Sequence, residues 1–224
     1  ELNINTKFGN SVEGEKDFNV SSLRKSLESS LERLKVEKIN TLFLHNPREE
    51  IEDYEPIENL MSDLKKEGLI INSGISVAKG HQYQYLPSFD TVQFDCNLLY
   101  LKELEVYKRK FRKRYARSPL ATGILSGKLS QETIFPKEDQ RSEWLYGKRL
   151  TSILKRVEAI KEINEEFSVS SLSRKFLLQI KDLDYVIFGV KNKLQVRDIL
   201  EDIETRKIQE KIVKNLIKLE HDNF

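Results

Sequence analysis

The sequence predicts an α/β protein built on a parallel sheet, and three observations carry that reading. Short apolar or β-branched runs alternate with amphipathic stripes at helical spacing, which is the pattern of strands covered by helices. The runs themselves are short, apolar or β-branched and separated by amphipathic helices, as strands of a helix-covered parallel sheet are. Polar or glycine residues stand at their C-terminal ends: Lys7, His45, Ser76, Gln93, Ser118 and Gly189, each on a different run. A doubly wound sheet and a closed barrel both fit the alternation. The strand-end residues favour the barrel, because that fold gathers all its strand C-termini round one mouth. The expected fold is therefore a (β/α)8 TIM barrel, of which this chain supplies about six strand–helix units. The other two strands would precede residue 1.

The elements follow in order. Strands are expected over residues 2–6, 41–44, 70–77, 91–94, 114–117 and 185–189, each a run of strand length between turn or helix signals. The first helix is marked by Leu23, Leu27, Leu31 and Leu34. Ile57, Leu60, Met61 and Leu64 follow the i, i+3, i+4, i+7 rule, with Pro56 in a favourable first-turn position and Gly68 as the stop. Leu150, Ile153, Leu154, Val157, Ile160 and Ile163 form a long stripe, and Val169, Leu172, Phe176 and Ile180 form the next. Gly189-Val190-Lys191-Asn192 leads into a helix carrying Gln195 and Asp198, and Ile208, Ile212, Val213 and Leu216 mark a last one.

Composition narrows the function classes. A chain of 224 residues can bury one sizeable core, and no repeat or low-complexity linker divides it, so residues 1–224 are read as a single domain. Lys plus Arg number 38 against 36 Asp plus Glu, a balance that argues for neither nucleic acid nor membrane. The basic cluster Lys108 to Arg114 is interleaved with Tyr107, Phe111 and Tyr115, a composition that single-stranded nucleic acid can use. Leu101, Leu104 and Phe111 also supply an inward stripe, so a solvated helix face is the preferred reading. The lone cysteine, Cys96, excludes an intrachain disulfide and fits a reducing, cytoplasmic setting. No apolar run approaches the ~20 residues of a spanning helix. No cluster with metal-ligand spacing appears, so no metal is expected.

Two strand ends carry candidate chemistry. His45 closes the run Leu42-Phe43-Leu44, where an imidazole can exchange hydrogen bonds with a substrate oxygen at neutral pH. Lys7 closes its own run; most lysines are solvated, but placed at a strand end adjacent to that of His45 it becomes a candidate beside the imidazole. The loop Arg117-Ser118-Pro119-Leu120-Ala121-Thr122-Gly123-Ile124-Leu125-Ser126-Gly127-Lys128 has glycines that permit positive φ and close backbone approach. Its amides, with Ser118 and Lys128, could bind phosphate.

Asn5-Thr6-Lys7-Phe8-Gly9, Leu42 to Pro47, the loop from Arg117 to Lys128, and Phe188 to Asn192 with Gln195 resemble, in this order, the aldo-keto reductases. The resemblance runs from about residue 2 to about residue 204. It implies hydride transfer between a nicotinamide cofactor and an aldehyde, ketone or sugar carbonyl. Lys7 would be the lysine that lowers the pKa of a catalytic tyrosine, and His45 the histidine that orients the carbonyl. Ser76 and Gln93 would hold the nicotinamide carboxamide. Ser118, Pro119, Leu120, Gly123, Leu125, Gly127 and Lys128 would wrap the pyrophosphate, and Arg141 would belong to the long loop folded over the cofactor. Gly189, Lys191, Gln195 and Asp198 would grip the adenosine half, with Lys191 on a 2′-phosphate. That favours NADP(H), with NAD(H) as the alternative.

The same resemblance exposes departures. Arg117 stands where many members stack an aromatic ring on the nicotinamide, and Asp198-Ile199 replaces a usual Glu-Asn pair. The stretches 78–88 and 108–114 look short. The family's catalytic aspartate and tyrosine fall upstream of residue 1, and Tyr54, Tyr83 and Tyr85 are not at matching positions. A reductase-like barrel that binds nucleotide without reducing anything, as a sensor or partner subunit, is the second reading. The expected partner is a small carbonyl compound; substrate identity and oligomeric state are not encoded in these motifs.

Overall fold

The computed structural model describes residues 2–10, 15–47, 51–81, 83, 86–107, 110–164 and 166–222. Six strands lie in chain order in one parallel sheet: β1 (Asn5–Phe8), β2 (Ile39–His45), β3 (Ile70–Ser76), β4 (Thr91–Asp95), β5 (Lys113–Arg117) and β6 (Tyr185–Val186). This is the α/β sheet of a partial (β/α)8 barrel, and it is not closed. Seven helices accompany it among the described residues: α1 (Val20–Leu34), α2 (Glu55–Lys66), α3 (Lys102–Tyr107), α4 (Gly147–Ile163), α5 (Val169–Gln179), α6 (Lys193–Glu204) and α7 (Glu210–Asp222). The chain divides into two compact units, Glu1–Phe94 with Val106–Tyr115, and Asp95–Glu105 with Ala116–Phe224.

In the first unit, registry decides which side chains meet. Lys7 pairs with Phe43, Phe43 with Gly74, and Gly74 with Thr91; one step on, His45 pairs with Ser76 and Ser76 with Gln93. Paired residues of parallel strands share a face, and so do residues two apart on one strand. Lys7, His45, Ser76 and Gln93 therefore belong to one face, above a layer made by Phe43, Thr91 and Tyr115. Phe43 and Tyr115 meet edge to face with centroids 5.4 Å apart. Gly74 has no room for a side chain: a Cβ there would lie 2.3 Å from Thr91 Oγ1 and 2.6 Å from Phe43 Cδ1. Its glycine serves the space under the strand ends.

Helix α2 ends as its sequence requires. Gly68 has φ +78°, Leu69 N–H donates to Leu64 O at 3.0 Å and Gly68 N–H to Lys65 O at 3.1 Å. These are the paired bonds of a Schellman stop. Leu23 and Leu27 of α1 and Ile57, Met61 and Leu64 of α2 are buried, whereas Leu34 is exposed at the end of its stripe.

The alternation is interrupted between β3 and β4. Among the described residues between β3 and β4 there is no helix. The segment contains Gly80 and Pro87 and no helical apolar stripe, so its backbone groups find side-chain partners instead. Tyr83 Oη donates to Pro47 O at 2.7 Å and accepts from Ala78 N–H at 2.9 Å, and Ser88 N–H donates to Glu58 Oε1 at 2.6 Å. Strand ends also shift by a few residues: β1 starts at Asn5, with Leu2 exposed, and β6 is two residues long. Of the basic cluster, Lys108 and Arg109 lie outside the described residues. Tyr107 and Tyr115 are buried, and Arg112 Nη2 donates to Asn72 Oδ1 at 2.6 Å.

In the second unit, α4, α5 and α7 bury Leu150, Leu154, Val157, Ile160, Val169, Leu172, Phe176 and Leu216. Cys96 is buried, and that burial pushes its thiol up to about 12, which leaves it chemically inert. No helix of the described residues is long and apolar enough to cross a membrane.

Candidate active site

The first unit gathers an ammonium, a hydroxyl and a carboxamide near the C-terminal ends of β1, β3 and β4. Lys7 Nζ donates to Gln93 Oε1 at 2.5 Å and lies 3.5 Å from Ser76 Oγ, and Ser76 Oγ donates to Gln93 Oε1 at 3.3 Å. Ser76 and Gln93 are buried, so their polar atoms must be satisfied by such partners. The amide of Gln93 is thereby oriented. With Oε1 accepting from both a cation and a hydroxyl, Nε2 is the donor it can offer a ligand.

His45 stands beside this cluster. Its Nδ1 faces Asn10 Nδ2 at 2.9 Å, and its carbonyl accepts from Lys16 Nζ at 3.0 Å. The turn that follows it is held by Asn46, which adopts φ +49° and donates its N–H to Ser76 O at 2.7 Å. The side-chain amide of Asn46 reaches Ser76 O at 3.0 Å and Val77 O at 3.2 Å. Asparagine tolerates the left-handed conformation better than other side-chain-bearing residues. Of the nearby tyrosines, Tyr54 is buried and burial raises its phenol to about 12, and Tyr83 is engaged at Pro47 and Ala78. Tyr85 lies outside the described residues.

The second unit holds the glycine-rich loop. Ser118, Ala121, Thr122, Gly123 and Gly127 all have positive φ, between +48° and +93°. Such a run folds the backbone into a tight concave turn, and it is anchored from three sides. Ser173 Oγ donates to Pro119 O at 2.6 Å, Asn97 Nδ2 to Ser118 O at 3.1 Å, and Leu125 is fully buried. Leu120 precedes the 3-10 turn Ala121–Ser126, and Lys128 is exposed beyond it. A Cβ at Gly123 would lie 3.1 Å from Arg141 Nη1, so glycine there lets the arginine approach.

Arg141 is a bridge. Its Nη1 donates to Thr122 O at 3.2 Å, its guanidinium sits 4.4 Å from the Phe135 ring centroid, and Nε and Nη2 grip Asp139 at 2.9 and 2.6 Å. Asp139 caps the short turn by accepting from Arg141 N–H at 2.9 Å. The Arg141 bonds hold the Asp139 carboxyl at about 2, with a smaller contribution from the charge of Lys191. Loop, arginine and Lys191 thus converge within this unit. Because that value lies below the ordinary 3.8, whatever the tether contributes is fully present above about pH 3.8 and is lost as pH falls through about 2. A carbon-detected NMR titration should find the Asp139 midpoint near 2. A midpoint at the ordinary value would mean that the tether is absent.

The remaining expected residues take quieter places. Gln195 Oε1 accepts from Lys191 N–H at 2.6 Å while Asn192 Oδ1 accepts from Gln195 N–H at 3.0 Å, a reciprocal cap on α6. Gln195 therefore shapes the segment that carries Lys191. Asp198 is exposed one turn on, and Gly189 has open space around its Cα. Arg117 is ion-paired, with Nη2 2.8 Å from Asp95 Oδ2. Asp95, Asn10, Lys16 and Asp139 are the participants sequence reasoning missed. Only Asp139 had a local signal, as an N-cap residue type before a short turn. Among the described residues no group of three or more His, Cys, Asp or Glu could hold a metal ion.

Functional groups at the strand ends of a parallel sheet stand where proteins of the (β/α)-barrel class build their active sites. The chain belongs to the Aldo/keto reductase family, whose profile matches residues 1–220, and so to a family of oxidoreductases. Among solved structures it is similar to the glycerol dehydrogenase AKR11B4 from Gluconobacter oxydans, at 22% identity and TM-score 0.79, over 97% of this chain and 71% of that one. It is also similar to the aldo-keto reductase AKR11C1 from Bacillus halodurans in its holo form, at 18% identity and TM-score 0.73, over 97% and 72%. The apo form of that protein gives 16% identity and TM-score 0.70 over 97% and 71%. No curated protein matches significantly.

Proposed function

We propose that this protein reduces an aldehyde, ketone or sugar carbonyl with NADP(H), residues 1–224 forming one barrel domain that works in the cytoplasm. The observation that carries the reading is the cluster of Lys7, Ser76 and Gln93 on the same sheet face as His45. The donor set fits a nicotinamide cofactor. Gln93 Nε2 and the Ser76 hydroxyl suit a carboxamide, and the left-handed loop with Arg141 and Lys191 suits phosphates. When bound, the cofactor supplies hydride. His45 then meets the carbonyl oxygen with an N–H, stabilising the charge that develops there. Lys7 keeps a fixed positive charge beside the reacting region and holds Gln93 in its binding orientation. A proton donor must complete the reaction, and Lys7 is the residue that would favour a phenolate–phenol couple in that role.

The test is a titration of NADPH and NADH, followed by turnover on a panel of simple carbonyls. Lys191→Ala should weaken NADPH roughly tenfold, about 1.5 kcal/mol, the low end for a charge-assisted bond because Lys191 is exposed. NADH affinity should be unchanged. An unaltered NADPH-to-NADH preference would remove Lys191 from the 2′-phosphate. Binding of NADPH with no turnover on any carbonyl would replace the reductase reading by the non-catalytic nucleotide binder.

A further inference from the structure

We propose that Asn10, itself oriented by Lys16, fixes His45 in the tautomer that carries its proton on Nε2. The proposal rests on the carbonyl-reducing reading for its purpose, though not for its geometry. An ammonium has only donors, so the Asn10 atom facing Lys16 Nζ at 2.7 Å must be the acceptor Oδ1. Turning the amide over would set NH2 against NH3+. Asn10 Nδ2 is therefore the atom directed at His45, and it donates to Nδ1 across 2.9 Å. A neutral imidazole that accepts at one nitrogen bears its hydrogen on the other. His45 is thus prepared as an Nε2–H donor, the form that a carbonyl oxygen needs.

The surrounding turn is built to hold this relay. Lys16 and Asn10 form a β-bridge, and Asp17 N–H donates to Gly9 O at 3.3 Å. Lys16 Nζ also bonds His45 O at 3.0 Å and lies 5.8 Å from the Phe18 ring centroid. Phe18 meets Phe8 edge to face at 6.1 Å. That approach requires Gly9, since a Cβ there would stand 2.3 Å from Phe18 Cε1 and its φ is +116°. Gly9 admits Phe18, Phe18 flanks Lys16, Lys16 orients Asn10, and Asn10 orients the imidazole. Asn10 is on this account a positioning residue that acts through His45.

The test reads the imidazole directly. The chain has three histidines, so long-range 1H–15N spectra of the 15N-labelled protein can be assigned with a His45→Gln variant. At about pH 8.5, where an ordinary imidazole is neutral, His45 should show the Nε2–H pattern. Asn10→Asp places an acceptor opposite Nδ1 and should switch His45 to the Nδ1–H form. Lys16→Met releases the Asn10 amide and should give a mixture, which provides a second variant if the first does not fold. A wild-type Nδ1–H pattern, or no change in either folded variant, would overturn the proposal. If carbonyl turnover is measurable, Asn10→Asp should lower kcat and leave the KM for NADPH within about twofold of wild type. A tautomer switch in a protein that reduces no carbonyl would uphold the relay while sinking the reductase reading.

Discussion

Lys7→Met is expected to lower kcat/KM for carbonyl reduction by ~10²–10⁴-fold, the range associated with loss of a positioned proton-transfer system. The change removes a charge that Gln93 Oε1 and Ser76 Oγ face at 2.5 and 3.5 Å. It has two consequences that separate experimentally. Loss of the charge should depress kcat, while freeing the Gln93 amide should raise the Kd for NADPH. Gln93→Ala should reproduce only the second. His45→Ala removes a donor aimed at developing oxyanion charge and should cost roughly 10²–10³ in kcat. The check is steady-state turnover together with cofactor titration for all three variants. Activity of Lys7→Met and His45→Ala within twofold of wild type would show that the strand-end cluster is not the catalytic machinery.

Asp202→Ala is expected to destabilise the second unit by about 3–5 kcal/mol, because it strands two buried cations. Arg174 Nε bonds Asp202 Oδ2, Ser171 Oγ bonds Oδ1, and Lys175 Nζ lies 3.9 Å from Oδ1. Asp202, Lys175 and Arg174 are all largely buried, so water cannot replace the lost carboxylate. Lys175 further donates to Asp202 O at 3.0 Å and Thr205 Oγ1 at 2.7 Å, which ties α5 to the end of α6. Since α6 begins just after Lys191, loosening its other end should also weaken NADPH binding. Urea denaturation gives the stability change, and at roughly 2–4 °C per kcal/mol for a chain of this size Tm should fall by about 6–20 °C. A loss below about 1 kcal/mol would mean that the pair is replaceable by solvent.

Much of the architecture was legible because it is periodic. The stripe from Ile57 to Leu64, with Pro56 ahead and Gly68 behind, determines α2 and its Schellman stop from local chemistry alone. Polar strand ends determine a mouth, since a strand's C-terminus is readable from where its apolar run stops. The glycine-rich loop determines a left-handed backbone at Gly123 and Gly127. The lack of a helix among the described residues between β3 and β4 has the same local reason: no apolar stripe is there to form one.

What tertiary structure alone decided is which of these groups touch. Gly74 reads as a flexible strand residue, yet it is a glycine because Phe43 and Thr91, 31 and 17 positions away by their numbers, occupy its side-chain space. Asn10 and Lys16 carry no motif, and their relation to His45 arises only when β1 pairs with β2. Asp95 meets Arg117, and Asp202 meets Arg174 and Lys175, across similarly long intervals. Gln195, expected at the adenosine half of a cofactor, caps the segment bearing Lys191. Periodicity records which face of an element is buried, a property of neighbours three or four residues away. Side-chain pairing depends on register between distant segments, and no local window of the sequence contains it.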